Sequence, residues 1–223
     1  MADAIGQVLA FGLGVGLSPI PIIAVVLMLG TPRARANGPA FVLGWIVGLA
    51  VIGTIVLVVA GGAGATEGDE PATWVSVLLL ALGVLLLLLA VRQWRGRPRR
   101  GEETAMPSWM RTIDHFTPVR SAAIAFALSA LNPKNLVLTV GAAAAIAQTG
   151  ADAAQEAVAF AVFVLIGTLG TAVPVGLYLA LGDRVTRLLD DVKSWMAANN
   201  AAIMAVLCLV IGVKLIGDGI SGF

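Results

Sequence analysis

The sequence predicts an all-α integral membrane protein of six transmembrane helices, built as two inverted three-helix repeats, with helices one and four broken at proline motifs. Three observations predict this. Hydrophobic residues make up 59% of the 223-residue chain and charged residues only 12%, at a mean hydropathy of +0.96, so lipid solvates most side chains. Apolar runs at about 4–29, 37–61, 72–94, 119–148, 154–181 and 197–217 are each long enough to cross a hydrocarbon core about 30 Å thick at about 1.5 Å per residue. Polar, proline-containing segments interrupt the first and the fourth of these runs at similar depth.

Taken in order, the first run is followed by Arg33 and Arg35 rather than by a small-residue cleavage site, which predicts a retained helix and not a signal peptide. Run two carries Gly44, Gly48 and Gly53, and run five carries Gly167 and Gly170 ahead of Pro174; these predict close helix packing and a hinge. Run three, with Leu78 to Leu80 and Leu85 to Leu89, reads as a wall facing lipid. In the connection that follows, Met106, Trp109, Met110, Ile113 and Phe116 recur at spacings of three and four, as in a short amphipathic helix lying in the inner interface. A loop folded back on the bundle is the other reading of this segment, and His115 within it reads as a surface residue. Lys214 and Asp218, four residues apart near the end of run six, read as an interfacial ion pair. The whole chain, 1–223, is then one membrane domain: repeat one about 1–95, a basic loop with the interfacial helix about 96–118, and repeat two about 119–223.

Charge predicts the orientation. Lys and Arg resist translocation, whereas acidic residues matter little to the choice. Connection one has Arg33 and Arg35, connection three has Arg92, Arg95, Arg97, Arg99, Arg100, Arg111 and Arg120, and connection five has Arg184, Arg187 and Lys193. Connections two and four instead carry Glu67, Asp69 and Glu70, then Asp152 and Glu156. Both termini are therefore expected outside the plasma membrane and the basic loops in the cytoplasm.

The candidate site follows from the two interruptions, Gly16 to Pro21 and Ser129 to Asn135. A proline lacks the backbone N–H and clashes with the preceding turn, so it leaves polar backbone groups without partners in a medium that has no water. Such backbone is tolerated where it is buried in protein or lines a wet cavity, and inverted-repeat transporters use half-helix ends of this kind to bind ligands. Lys134 stands about fifteen residues into its run, too deep to snorkel easily, and needs carbonyls or an anion around it. No carboxylate lies at the centre of another run. The expected substrate-binding residues are Ser18, Pro19, Pro21, Ser129, Asn132, Pro133, Lys134, Asn135 and Thr139.

Other chemistries lack their residues. The lone Cys208 excludes a dithiol relay, and the absence of central Asp or Glu argues against a hard-oxygen metal site. The sequence has neither a phosphate-binding Gly-Lys-Ser/Thr motif nor a metal-ligand cluster, so neither an enzyme nor a cofactor is expected. The arginines after run three read as a topology signal that meets anionic lipid heads, and no nucleic-acid partner is expected.

The residues Gly16 to Pro21, the stretch from Met106 through Trp109 and Ile113 to Pro118, and Ser129 to Leu136 together resemble the GAP family. These are peptidoglycolipid- and sulfolipid-addressing proteins of mycobacteria and related actinobacteria, within the lysine-exporter (LysE) superfamily. The resemblance spans nearly the whole chain, with Asn132 to Asn135 its most specific part. It implies a six-helix inverted-repeat fold and the movement of cell-envelope glycolipids across the plasma membrane alongside large lipid transporters. Amino-acid exporters of the wider superfamily carry Pro-Gly-Pro in helix one, whereas this chain has Pro19, Ile20 and Pro21, and the bulkier Ile20 narrows backbone approach there. The expected function is translocation of an anionic lipid or glycolipid from a site between helices one and four. The expected partners are that lipid, the membrane, a large lipid transporter and further copies of the chain. Export of amino acids or other small solutes, and a scaffold that does not transport, both remain open alternatives.

Overall fold

The computed structural model describes residues 2–62, 66–67, 70–97, 113 and 115–223, and within them the chain is helical apart from one short ladder. Helices α1 (Ala2–Gly16) and α2 (Pro19–Leu29) form a pair bent by 52°. Next come α3 (Ala34–Gly62), the strands β1 (Thr66–Glu67) and β2 (Glu70–Pro71), and α4 (Thr73–Arg95). Helices α5 (Pro118–Ala130) and α6 (Pro133–Ala147) form a second pair, bent by 63°. The chain ends with α7 (Ala153–Leu181), a 3-10 turn over Gly182–Val185, and α8 (Thr186–Ser221). Three helical stretches are apolar and long enough to cross a bilayer: Ala34–Ala60, Thr73–Arg95 and the run Ala153–Ser221; each bent pair also qualifies if taken as one span.

Helix ends follow local chemistry. Thr117, Asn132 and Asp152 have extended backbone and side chains that accept an amide hydrogen bond from the first turn. Pro118 and Pro133 occupy first-turn positions, where the missing N–H is no loss. Gly182 adopts φ +59, the left-handed region that glycine enters without steric cost, and the chain reverses there.

Named approaches fix the helix directions. Gly12 lies against Ile166 and Gly170 against Gly16, so α7 runs parallel to α1. Gly53 faces Phe160, and the Trp45 Nε1 donates to the Gly167 carbonyl at 3.0 Å, so α3 runs antiparallel to α7. Gly44 meets the backbone of Ala122 and Gly48 the Ser129 side chain, so α3 and α5 run together. Phe11 and Leu138 flank Gly141 and Gly14 in the opposite order, which sets α6 antiparallel to α1. Helix α8 runs antiparallel to α1, with Ile211 at Gly14 and Lys214 at Gln7, and antiparallel to α4, with Gly219 at Leu80 and Gly212 at Gly83.

The close packing expected from Gly44, Gly48 and Gly170 is present, since a Cβ on any of them would overlap the neighbouring helix. The reading of run three as a lipid-facing wall covers only half of α4. Its Val75, Leu79, Gly83, Leu86 and Ala90 form a buried stripe against α8, while Val77, Val84, Leu88 and Val91 are exposed. Helix α8 begins some ten residues before the expected run, because Arg187, Asp190, Asp191 and Lys193 interrupt the apolar pattern without interrupting the helix.

Met106, Trp109 and Met110 of the expected interfacial helix lie outside the described residues. At its end, Ile113 and Phe116 are buried in the core, the Asn37 Nδ2 donates to the Phe116 carbonyl at 3.0 Å, and His115 is exposed. Lys214 and Asp218 are paired, and Lys214 also donates to Gln7 Oε1 at 2.7 Å.

Candidate functional site

The site begins with a missing amide. Pro19 has no N–H to offer the Val15 carbonyl four residues earlier, so the Ser18 N–H turns to Val15 instead, at 3.2 Å. That shift releases the Gly14 carbonyl, which an uninterrupted helix would have paired with Ser18. Steric pressure from Pro19 holds Ser18 extended, at φ −65 and ψ 116, and so ends α1.

Across the bundle, Pro133 does the same for α5. Asn132 is extended at φ −68 and ψ 122, and its side chain accepts from the Lys134 N–H at 3.0 Å. The carbonyl four residues before Asn132 is that of Leu128, and it accepts from the Asn135 Nδ2 at 3.0 Å. Each break therefore exposes the carbonyl four residues ahead of its cap, and in each a side chain supplies the donor.

The two breaks meet at Lys134. Its Nζ donates to the Gly14 carbonyl at 2.6 Å and to Ser18 Oγ at 2.5 Å, and the Ser18 hydroxyl in turn lies 3.3 Å from Asn135 Oδ1. Lys134 is 4% exposed. The ion pairs among the described residues are Lys193 with Asp190 and Lys214 with Asp218, so Lys134 has polar partners but no carboxylate beside it. A carbonyl and a hydroxyl solvate an ammonium group; they do not neutralise it.

The other expected site residues sit as follows. Pro19 and Pro21 are buried in the first turn of α2, Asn132 is half-buried, and Pro133 is exposed. Ser129 faces α3 at Gly48 and donates to the Phe126 carbonyl at 3.1 Å, so no hydrogen bond joins it to Lys134. Thr139 is fully buried one turn beyond Asn135, and its hydroxyl has no partner among the described residues. Beside the second break, Ile124, Ala127, Leu128, Leu131 and Asn132 line an open apolar hollow of about 420 Å³. Gly14 and Leu128 are absent from the expected residues, although both can be found from sequence by counting four residues back from the residue before each proline.

These features define a multi-pass helical membrane protein with a lysine buried where two bent helix pairs meet. The chain belongs to the family described as SfLAP, Sap, sulfolipid-1-addressing protein, whose model matches residues 8–221 and agrees with the resemblance carried by the motifs. No curated protein and no solved structure matches the chain.

Proposed function

We propose that the protein assists translocation of an anionic cell-envelope lipid across the plasma membrane, with Lys134 binding the lipid's acidic headgroup. The observation that carries this reading is the buried Lys134 ammonium, held by Gly14 and Ser18 with no carboxylate among its partners. An uncompensated cation in an apolar bundle favours an anion that can replace its weak neutral ligands. The family's description names a sulfolipid, and a sulfate headgroup has this chemistry. In this reading, Asn132 and Asn135 offer further polar contacts, and the hollow at Leu128 and Leu131 receives an acyl chain that stays in lipid.

A transporter also needs two states. Helix packing supports two inverted repeats: exchanging α1–α4 for α5–α8 turns the α3–α5 contact into α7–α1, and α3–α6 into α7–α2, while α4–α8 and α3–α7 are unchanged. In this reading each bent pair is one span and α7 and α8 are two, so that the first half runs up, down, up and the second half down, up, down. The Lys134 link to Gly14 and Ser18 joins the two halves at their breaks, so a headgroup that takes over Lys134 also loosens that link. The LysE superfamily placement fits this architecture.

The test is lipid export in cells. In a strain relying on the Lys134→Ala protein, surface delivery of the sulfated lipid is expected to fall at least tenfold, with the protein still in the membrane at its normal level. Undiminished delivery removes the role given to Lys134.

A further inference from the structure

Between α4 and α8, at the end where α4 becomes basic, lies a groove of about 430 Å³. Ala90 and Ala205 form its floor, both nearly buried, because their methyl groups are too short to fill the space between the helices. Val91, Val206 and Leu209 form apolar walls that are about half exposed. Trp94 and Arg95 stand at the mouth, and the Arg97 guanidinium lies over the Trp94 ring at 4.1 Å from its centroid. Arg92, Arg95 and Arg97 are exposed and have no ion-pair partner among the described residues.

We propose that this groove binds an anionic phospholipid, with Arg95 and Arg97 on the phosphate and the upper part of one acyl chain over Ala90 and Ala205. Charge complementarity selects the ligand. A basic rim above an apolar slot between two membrane helices matches an acidic headgroup joined to a chain, and Trp94 is the residue type that settles at headgroup level. A soluble anion has no use for the slot, and among the described residues that line it no carboxylate meets a choline cation. A second copy of the chain packed here about a two-fold axis would bring the same arginines face to face. From Ala90 to Arg95 the helix rises about 7 Å, roughly half of one leaflet, so the groove grips the head and the nearest methylenes and leaves the rest of the chain in the bilayer. This site lies apart from Lys134 and does not depend on the cargo proposed there.

The test uses the full-length protein in nanodiscs holding equal amounts of dioleoylphosphatidylglycerol and dioleoylphosphatidylcholine, with retained lipid measured by native mass spectrometry. Wild-type protein is expected to keep phosphatidylglycerol over phosphatidylcholine at least fivefold. The exposed double variant Arg95→Gln/Arg97→Gln is expected to bring that ratio close to one, Val206→Trp to cut retained phosphatidylglycerol at least fivefold by filling the slot from its open wall, and the charge-matched control Arg33→Gln/Arg35→Gln, around the start of α3, to leave the ratio unchanged. Equal retention of the two lipids by wild type overturns the proposal, as does a ratio that survives both groove variants. A change of oligomeric state in Val206→Trp also overturns it, because it makes a second copy the occupant.

Discussion

Lys134 is solvated by protein without being neutralised, and that distinction sets what its substitutions should do. Lys134→Met removes a charge that is costly to bury but also leaves the Gly14 carbonyl with only the Ser18 hydroxyl, at 3.5 Å, as donor, a loss of about 1–3 kcal/mol. The two effects oppose each other, so the unfolding midpoint in detergent should move little while lipid export is lost; a large fall in the midpoint would instead make Lys134 a structural clamp. Ser18→Ala leaves the ammonium with the Gly14 carbonyl alone and removes the relay to Asn135. It should weaken the link between the halves and lower stability by about 1 kcal/mol, read from the same thermal unfolding curve. At this scale the sequence made Lys134 and Ser18 conspicuous and left the carbonyl acceptor hidden. Gly14 lies 120 residues away, and nothing local to Lys134 indicates which released carbonyl reaches it.

The elements carry their own signatures, some plainer than others. Pro19 and Pro133 mark where α2 and α6 begin, because a proline at a helix start is a backbone rule that requires no tertiary information. Pro19→Ala returns an amide to the Val15 carbonyl, lets Ser18 bond Gly14, and so competes with Lys134. Spin labels at Leu9 and Gly30 should then move apart by about 3 Å as the bend relaxes toward a straight helix. An unchanged distance would mean that packing against α7 and α8, rather than the proline, holds the bend. Gly44→Leu should force α3 away from α5, since a Cβ there comes within 2.1 Å of the Ala122 carbonyl oxygen, and should cost about 1–3 kcal/mol in thermal unfolding. Helix α4 was harder to read because leucines on both faces mask the shallow stripe of Gly83 and Ala90 that seats it on α8. The charged start of α8 was missed for the converse reason, since a search for apolar runs stops at Arg187 and Lys193 although the helix continues through them.

Over the whole molecule, the described arginines gather at one end. The connections bearing Arg33, Arg35, Arg120, Arg184 and Arg187 lie at one end of the bundle, where Asn37 reaches Phe116 and Leu29 approaches Leu189. Asp152, Glu156 and Asp218 lie at the other, near Gly222, which packs against Ser76 and Gln148. In a Cys208→Ala background, a cysteine placed at Ala154 should react with a membrane-impermeant maleimide on intact cells, and one at Arg184 should react only after lysis; the reverse pattern would invert the orientation. Apolar helices, their approximate bounds and the family were legible in the sequence because each rests on local composition or contiguous motifs. The pairing of α3 with α5 and of α7 with α1 was not, because it depends on which glycine faces which backbone across the bundle. The measurement that bears most directly on the site is lipid flipping by purified protein alone in liposomes, using a fluorescent sulfated glycolipid and comparing wild type with Lys134→Gln at equal folded protein. Wild type should accelerate flipping at least tenfold over protein-free vesicles and Lys134→Gln should not; equal acceleration by both, or none by wild type, would contradict an anion site at the junction of the two breaks.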